Sequence, residues 1–304
     1  MNNTPQPDSL HRFLFEQAPI RGELVHLDDA WRSVLERHDY PEVLRNLMGE
    51  LAAAAVLLAA TLKLKGSLVL QIMGKGAVKL LVVECSGDMQ LRATAKWSGD
   101  LAQRSFAELI GNGQFVITLD PKDGGQPYQG IVDIEGESVA EVMQNYMSRS
   151  EQLETRLWLA ADRQSAAGML LQKLPELDSQ PELDNQSELP DADAWRRAVI
   201  LADTLKPEEL LLLPAKTLIQ RLYHEDDIRL FDAQKVAFHC SCSRDNVAQM
   251  LQMLGREEVD SILAERDNIE VHCEFCNQRY EFDKVDAEMM FVDAIISPAS
   301  KTSH

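Results

Sequence analysis

The chain has 304 residues, 45% hydrophobic and 26% charged, a balance that suits two folded units and excludes a fibrous or wholly disordered protein. Thirty Lys and Arg stand against 49 Asp and Glu, and the net charge of −19 repels phosphate backbones and anionic lipids, so nucleic acid and membrane are not expected partners. The start, MNNTPQPDSLHRFLFEQ, lacks a basic segment followed by an apolar run, and the longest uncharged apolar stretch, Leu51 to Thr61, is about half a membrane span.

The expected location is therefore the cytoplasm, where thiols are kept reduced and closely spaced cysteines bind metal or sense oxidant rather than form permanent disulfides.

Residues 8–40 mix apolar and charged positions and assign no element by themselves. From Pro41 to Lys65, Leu, Ala and Val lie around most of the circumference, which predicts a buried helix. Leu68 to Met73, Val78 to Cys85 and Met89 to Lys96 then read as strands joined by glycine-containing turns, hence antiparallel hairpins. Gln114 to Leu119 and Gly130 to Ile134 form another strand pair, Val139 to Met147 has amphipathic helical spacing, and Thr155 to Ala161 and Ala167 to Leu174 read as two more strands.

Seven acidic residues, no basic ones and two prolines fill 176–193, the composition of a linker that cannot fold alone. Helical patterning returns over 194–226, where Pro207 and Pro214 can begin new short helices. These are too short and apolar to stand alone and are expected to dock on a neighbouring domain. The last unit combines a strand at Val236 to His239, helices over 243–254 and 257–267, and a hairpin of Ile269 to Glu274 with Arg279 to Phe282. The expected class is α+β: an antiparallel-sheet core domain with packed helices over 1–175, an acidic then helical linker over 176–231, and a small zinc-binding domain over 232–304.

That last domain holds Cys240-Ser241-Cys242 and, thirty residues later, Cys273-Glu274-Phe275-Cys276. Two close pairs at strand ends supply four thiolates, matching the tetrahedral preference of zinc, and a closed four-sulfur shell leaves no position for the water of hydrolytic catalysis. One zinc ion per chain and no enzymatic activity are expected. His239 and His272 each precede a ligand cysteine and are substitute ligands at most. Cys85 reads as a core residue, and Gly74-Lys75-Gly76 as a plain turn that lacks the spacing of a phosphate loop.

A core of about 60 residues is marginal without a brace. Structural zinc contributes roughly 10 to 16 kcal/mol in finger peptides, whereas disulfides across such tiny loops contribute less than about 3 kcal/mol. The neighbouring thiols of each pair can close on each other with little backbone travel. Oxidation that expels the metal is therefore expected to unfold the domain.

The C-x-C, thirty-residue spacer and C-x-x-C, the contexts HCSCSRDNV and VHCEFCNQRYEF, the glycine turn MGKGAVKLLVVEC and the acidic linker together resemble, over nearly the whole chain, the bacterial redox-regulated heat-shock holdases of the thirty-three-kilodalton class, the HslO family. The resemblance implies an ATP-independent chaperone that is idle while reduced and zinc-bound. It implies that hypochlorite, or peroxide with heat, expels zinc and forms the disulfides Cys240–Cys242 and Cys273–Cys276. In that family the oxidised domain and adjacent linker unfold, the protein forms a homodimer, and unfolding client proteins are held until they pass to ATP-driven foldases.

Three other readings compete. A zinc ribbon for nucleic acid is disfavoured because residues from 232 onward carry 7 Lys and Arg against 14 Asp and Glu. A thiol-disulfide oxidoreductase would need a C-x-x-C opening a helix, and here a strand follows instead. The third is a constitutive scaffold with a purely structural zinc site.

Overall fold

A single close approach organises the N-terminal strands. In this computed structural model, which describes residues 5–62, 65–122, 124–175 and 193–296, β1 (Ser9–Phe15) and β2 (Ile20–Leu27) pair antiparallel with Phe13 opposite Gly22. A Cβ at Gly22 would stand 2.1 Å from Phe13 Cζ, so the ring can lie across the sheet there only over a glycine. Asp8 closes the next element: its Oδ1 accepts from the N–H groups of Asp28 (2.9 Å) and Ala30 (3.0 Å), capping α1 (Asp29–Leu35) from outside the helix. Periodicity leaves this whole region unassigned, because β2 is buried along most of its length and β1 mixes buried, half-buried and exposed positions without strict alternation.

The predicted central helix is α2 (Glu42–Thr61), where every residue from Leu51 to Ala59 is buried. Taken with its few charged residues, it is long and apolar enough by length and composition to cross a membrane, and 78% of that stretch is buried inside the protein. The next elements are β3 (Gly66–Met73), β4 (Val78–Ser86), β5 (Gln90–Trp97), α3 (Phe106–Ile110), β6 (Gln114–Pro121), β7 (Tyr128–Asp133), α4 (Val139–Arg149), β8 (Thr155–Ala161) and β9 (Ala166–Lys173), and the cover comes from both sides: α2 packs on β2, β8 and β9 of one sheet and on β3, β4 and β5 of another. A helix apolar around its circumference has no solvent face, and this one needs none.

The turn Gly74-Lys75-Gly76 joins β3 to β4 and seats the end of α3: the N–H groups of Lys75 and Gly76 both donate to Ile110 O at 2.8 Å. A Cβ at Gly76 would meet Leu109 O at 2.4 Å. Those donors are spent within the fold, which bears out the plain turn.

Next come α5 (Ala194–Ala202), α6 (Pro207–Leu212), α7 (Ala215–Leu222), β10 (Ile228–Leu230), β11 (Gln234–Lys235) and β12 (Ala237–Phe238). The first sheet runs β10-β1-β2-β9-β8, with β11 also on β1; the second runs β12-β5-β4-β3-β6-β7. Among these pairings only β12 with β5 is parallel.

As expected of short apolar helices, α5, α6 and α7 dock: Ala194, Ala198, Leu210, Leu218 and Leu222 share a core with Phe13, Phe15, Met169 and Leu171 on the outer face of the first sheet. Tyr223 stacks edge-on to Phe15 at 5.0 Å and donates to Ala198 O at 3.2 Å, and His26 Nε2 lies 2.6 Å from Leu211 O. Most of the acidic segment, residues 176–192, lies outside the described residues.

The chain divides into two compact units, Met1–His239 and Cys240–His304. The second contains α8 (Arg244–Leu254), α9 (Arg256–Glu265), the hairpin β13 (Ile269–His272) with β14 (Arg279–Phe282), and α10 (Lys284–Ile296). Helix α10 was not predicted, since KVDAEMMFVDAII shows no clean stripe. Its start does carry a signal: Asp286 N donates to Asp283 Oδ1 (2.8 Å) and Asp283 N to Asp286 Oδ2 (3.1 Å), a reciprocal cap. Among the described residues, the buried core of this unit is seven side chains: Leu251, Val259, Leu263, Ile269, Phe282, Ala287 and Met290.

Candidate metal centre

Two loops bring the four cysteines of the second unit together. The first runs into α8, whose cap Ser243 accepts from Asn246 N at 3.1 Å, while Asn246 Nδ2 donates to Ser241 O at 3.1 Å. This ties the backbone between Cys240 and Cys242 to the helix start. The second closes the β13–β14 hairpin: Asn277 N donates to Cys273 O (2.8 Å) and Cys273 N to Gln278 O (3.0 Å). Asn277 takes a φ of +56°, the left-handed region that asparagine tolerates better than most residues.

The four sulfur atoms lie within 4.8 Å of one another; Cys240 Sγ is 3.7 Å from Cys273 Sγ, and Cys242 Sγ is 3.3 Å from Cys276 Sγ. None is joined in a disulfide. A tetrahedron of thiolates at the usual zinc–sulfur distance of about 2.3 Å has edges of about 3.8 Å, whereas a disulfide bond is about 2.05 Å. The spacing fits the closed metal shell.

Charge gives the same answer. Burial, and then the neighbouring sulfurs, push the Cys276 thiol above its ordinary range, because several thiolates cannot ionise side by side in a half-buried pocket. A divalent cation among them would supply the missing positive charge. Tyr280 on β14 donates its hydroxyl to Cys242 Sγ at 3.2 Å, and this bond raises its own pKa to about 12, keeping the proton on the phenol.

Arg244 fastens the first loop to the rest of the unit. It donates to Glu281 O (2.6 Å), pairs with Asp286 (2.7 Å) and stacks over the Phe282 ring at 4.3 Å.

The same family signature runs along almost the whole chain: the sequence pattern described as Hsp33 protein matches residues 8–283. The chain belongs to the Hsp33 family. A "33 kDa chaperonin" of Methylobacillus flagellatus is 57% identical over 298 residues, covering 98% of this chain and 99% of that protein. A protein of the same name from Chromobacterium violaceum is 48% identical over 304 residues, covering 99% and 100%. The crystal structure of the 33 kDa chaperonin (heat shock protein 33 homolog) of Thermotoga maritima superposes with a TM-score of 0.77, covering 95% of this chain and all of that one; at 18% identity it shows the shared fold.

In this Hsp33 family member the four expected ligand positions converge, and the alternatives do not join them. His272 Nε2 lies 2.6 Å from Glu270 Oε1, and its pKa is raised by that carboxylate. His239 belongs to the first unit, its N–H donating to Leu91 O at 3.0 Å. Cys85 is fully buried in β4, and burial pushes its thiol up to about 12, the state of an inert core residue. Sequence reasoning missed Tyr280 and Arg244 as supports of the site, since neither has a spacing rule that points at a sulfur.

Proposed function

We propose that this Hsp33 family protein is an ATP-independent chaperone of the holdase type, switched on by oxidation. The observation that carries the reading is the convergence of four cysteine sulfurs within 4.8 Å in a unit whose buried core, among the described residues, is seven side chains. Cys240, Cys242, Cys273 and Cys276 hold one zinc ion in the reduced protein, and the ion supplies the charge and cross-linking that so small a core lacks.

Under hypochlorite, or peroxide with heat, the thiolates lose electrons in pairs, forming Cys240–Cys242 and Cys273–Cys276 and releasing the metal. This local pairing follows the family resemblance and is favoured by the one or two residues between partners. The second unit then opens. The helices α5 to α7 leave the first sheet, uncovering an apolar face that includes Phe13, Phe15, Met169 and Leu171. Non-native client proteins are held there, in a homodimer, for later transfer to ATP-driven foldases. The protein works in the cytoplasm, where the reduced state is the resting one, and acts on neither nucleic acid nor membranes.

Suppression of aggregation of a chemically denatured client tests this. Reduced protein should be inactive, hypochlorite-treated protein active without ATP, and a Cys273→Ser/Cys276→Ser variant unresponsive to oxidant. A constitutive scaffold with structural zinc would keep its metal in mild oxidant and show no gain of activity.

A further inference from the structure

The second unit contains four methionines, Met250, Met253, Met289 and Met290, in very different surroundings. Met253 is 81% and Met289 57% exposed, whereas Met290, the next residue along α10, is 8% exposed. The Met290 side chain sits among Leu251, Phe282 and Ala287, and its carbonyl accepts from Gln252 Nε2 at 2.6 Å, which fixes α10 to α8 at that point.

We infer that Met290 is a second oxidation site of the switch unit, closed to oxidant while the unit is folded and opened when the metal leaves, and that its sulfoxide blocks return to the metal-bound fold. This rests on the metal-braced switch proposed above. The oxidant is hydrogen peroxide. The thioether sulfur attacks one peroxide oxygen, the O–O bond breaks, an S=O bond forms and water leaves; sulfur gives up two electrons and the peroxide is reduced.

The consequence follows from the size of the core. A sulfoxide is a strong acceptor, and forcing it into the apolar packing of Leu251, Phe282 and Ala287 opposes folding. The seven buried side chains among the described residues have little to set against that. Thiol reductants restore the cysteines but leave the sulfoxide, which needs a methionine sulfoxide reductase. Oxidation of Met253 and Met289 changes only solvent-facing positions and leaves refolding free.

The test uses the full chain with hydrogen peroxide, locating added oxygen by peptide mass spectrometry in the zinc-loaded form, after chelation, and in guanidinium. In the loaded form Met290 should oxidise roughly ten-fold more slowly than Met289, the order of their exposures of 8% and 57%. Chelation should bring the two rates together. After dithiothreitol and fresh zinc, metal rebinding should fall in proportion to Met290 sulfoxide, Met290→Leu should recover fully, and Met289→Leu should recover no better than the parent chain.

Equal rates in the loaded form, or full rebinding with Met290 oxidised, overturn the inference. If chelation leaves amide exchange in the second unit unchanged, the metal-brace reading fails instead. The guanidinium-opened sample then still reads whether Met290 sulfoxide prevents refolding.

Discussion

The hydroxyl of Tyr280 donates to Cys242 Sγ at 3.2 Å, joining positions 38 residues apart and placing one neutral donor against a cluster of four sulfurs. Donors of this kind steady a thiolate without adding charge and tune metal affinity from outside the ligand set. Tyr280→Phe removes the hydroxyl and keeps the ring. It is expected to weaken zinc binding by about ten-fold, measured by competition with a chromogenic chelator. Unchanged affinity would reduce Tyr280 to a packing residue.

The pairing of Phe13 with Gly22 makes a steric prediction for the first unit. Gly22→Ala places a methyl group into the Phe13 ring and is expected to cost about 2 to 3 kcal/mol, as overpacking of a closed core does. Phe13→Leu in the same chain should return part of that loss, because the clash is with the ring and not with the backbone. Urea unfolding of the two variants and the double mutant checks this; equal losses in single and double mutants would contradict it.

Glu23 gives part of the pH dependence, beside Glu50, whose pKa burial also raises to about 7. It is 3% exposed in β2, and burial raises its pKa from the ordinary 4.5 to about 7 against the pull of Arg21 and Arg12. The folded protein therefore binds this proton more tightly than the unfolded chain, so the contribution is full below pH 4.5 and is lost as pH rises through about 7. That shift corresponds to roughly 3 kcal/mol. Glu23→Gln should flatten this part of the stability curve and be more stable than the parent chain at pH 8. Parallel slopes between pH 5 and 8 for the two proteins would show that Glu23 carries no such penalty.

The sequence made the metal centre legible because metal ligation works through residue type at short spacing, and both cysteine pairs are local. The buried helix α2 and the hairpins from Gly66 to Asp133 were legible for a similar reason: each is punctuated by Gly or Pro and has an apolar pattern of the right length. The N-terminal strands were not, since neither keeps a strict alternation of buried and exposed positions and the feature that fixes them, Phe13 over Gly22, is a contact across strands. Arg244 belongs to the same class. Its partners Glu281, Phe282 and Asp286 lie 37 to 42 residues away, and nothing in the local sequence names them.

Arg244→Ala separates bracing from ligation. It removes an ion pair, a backbone hydrogen bond and a ring stack without touching a cysteine, and the exposed position limits the loss to about 1 kcal/mol. Zinc stoichiometry should stay at one while the unit opens at lower oxidant, read as zinc release against peroxide dose. A release curve that superposes on that of the parent chain would contradict the bracing role.

The central claim is that the metal holds the second unit together and that its loss uncovers the first sheet. Hydrogen exchange on the intact chain, read peptide by peptide before and after hypochlorite, addresses both at once. Protection should be lost over residues 240–296 and 194–222 and kept in α2 and the strands around it. Retained protection over 240–296 after the zinc has been released would contradict the account.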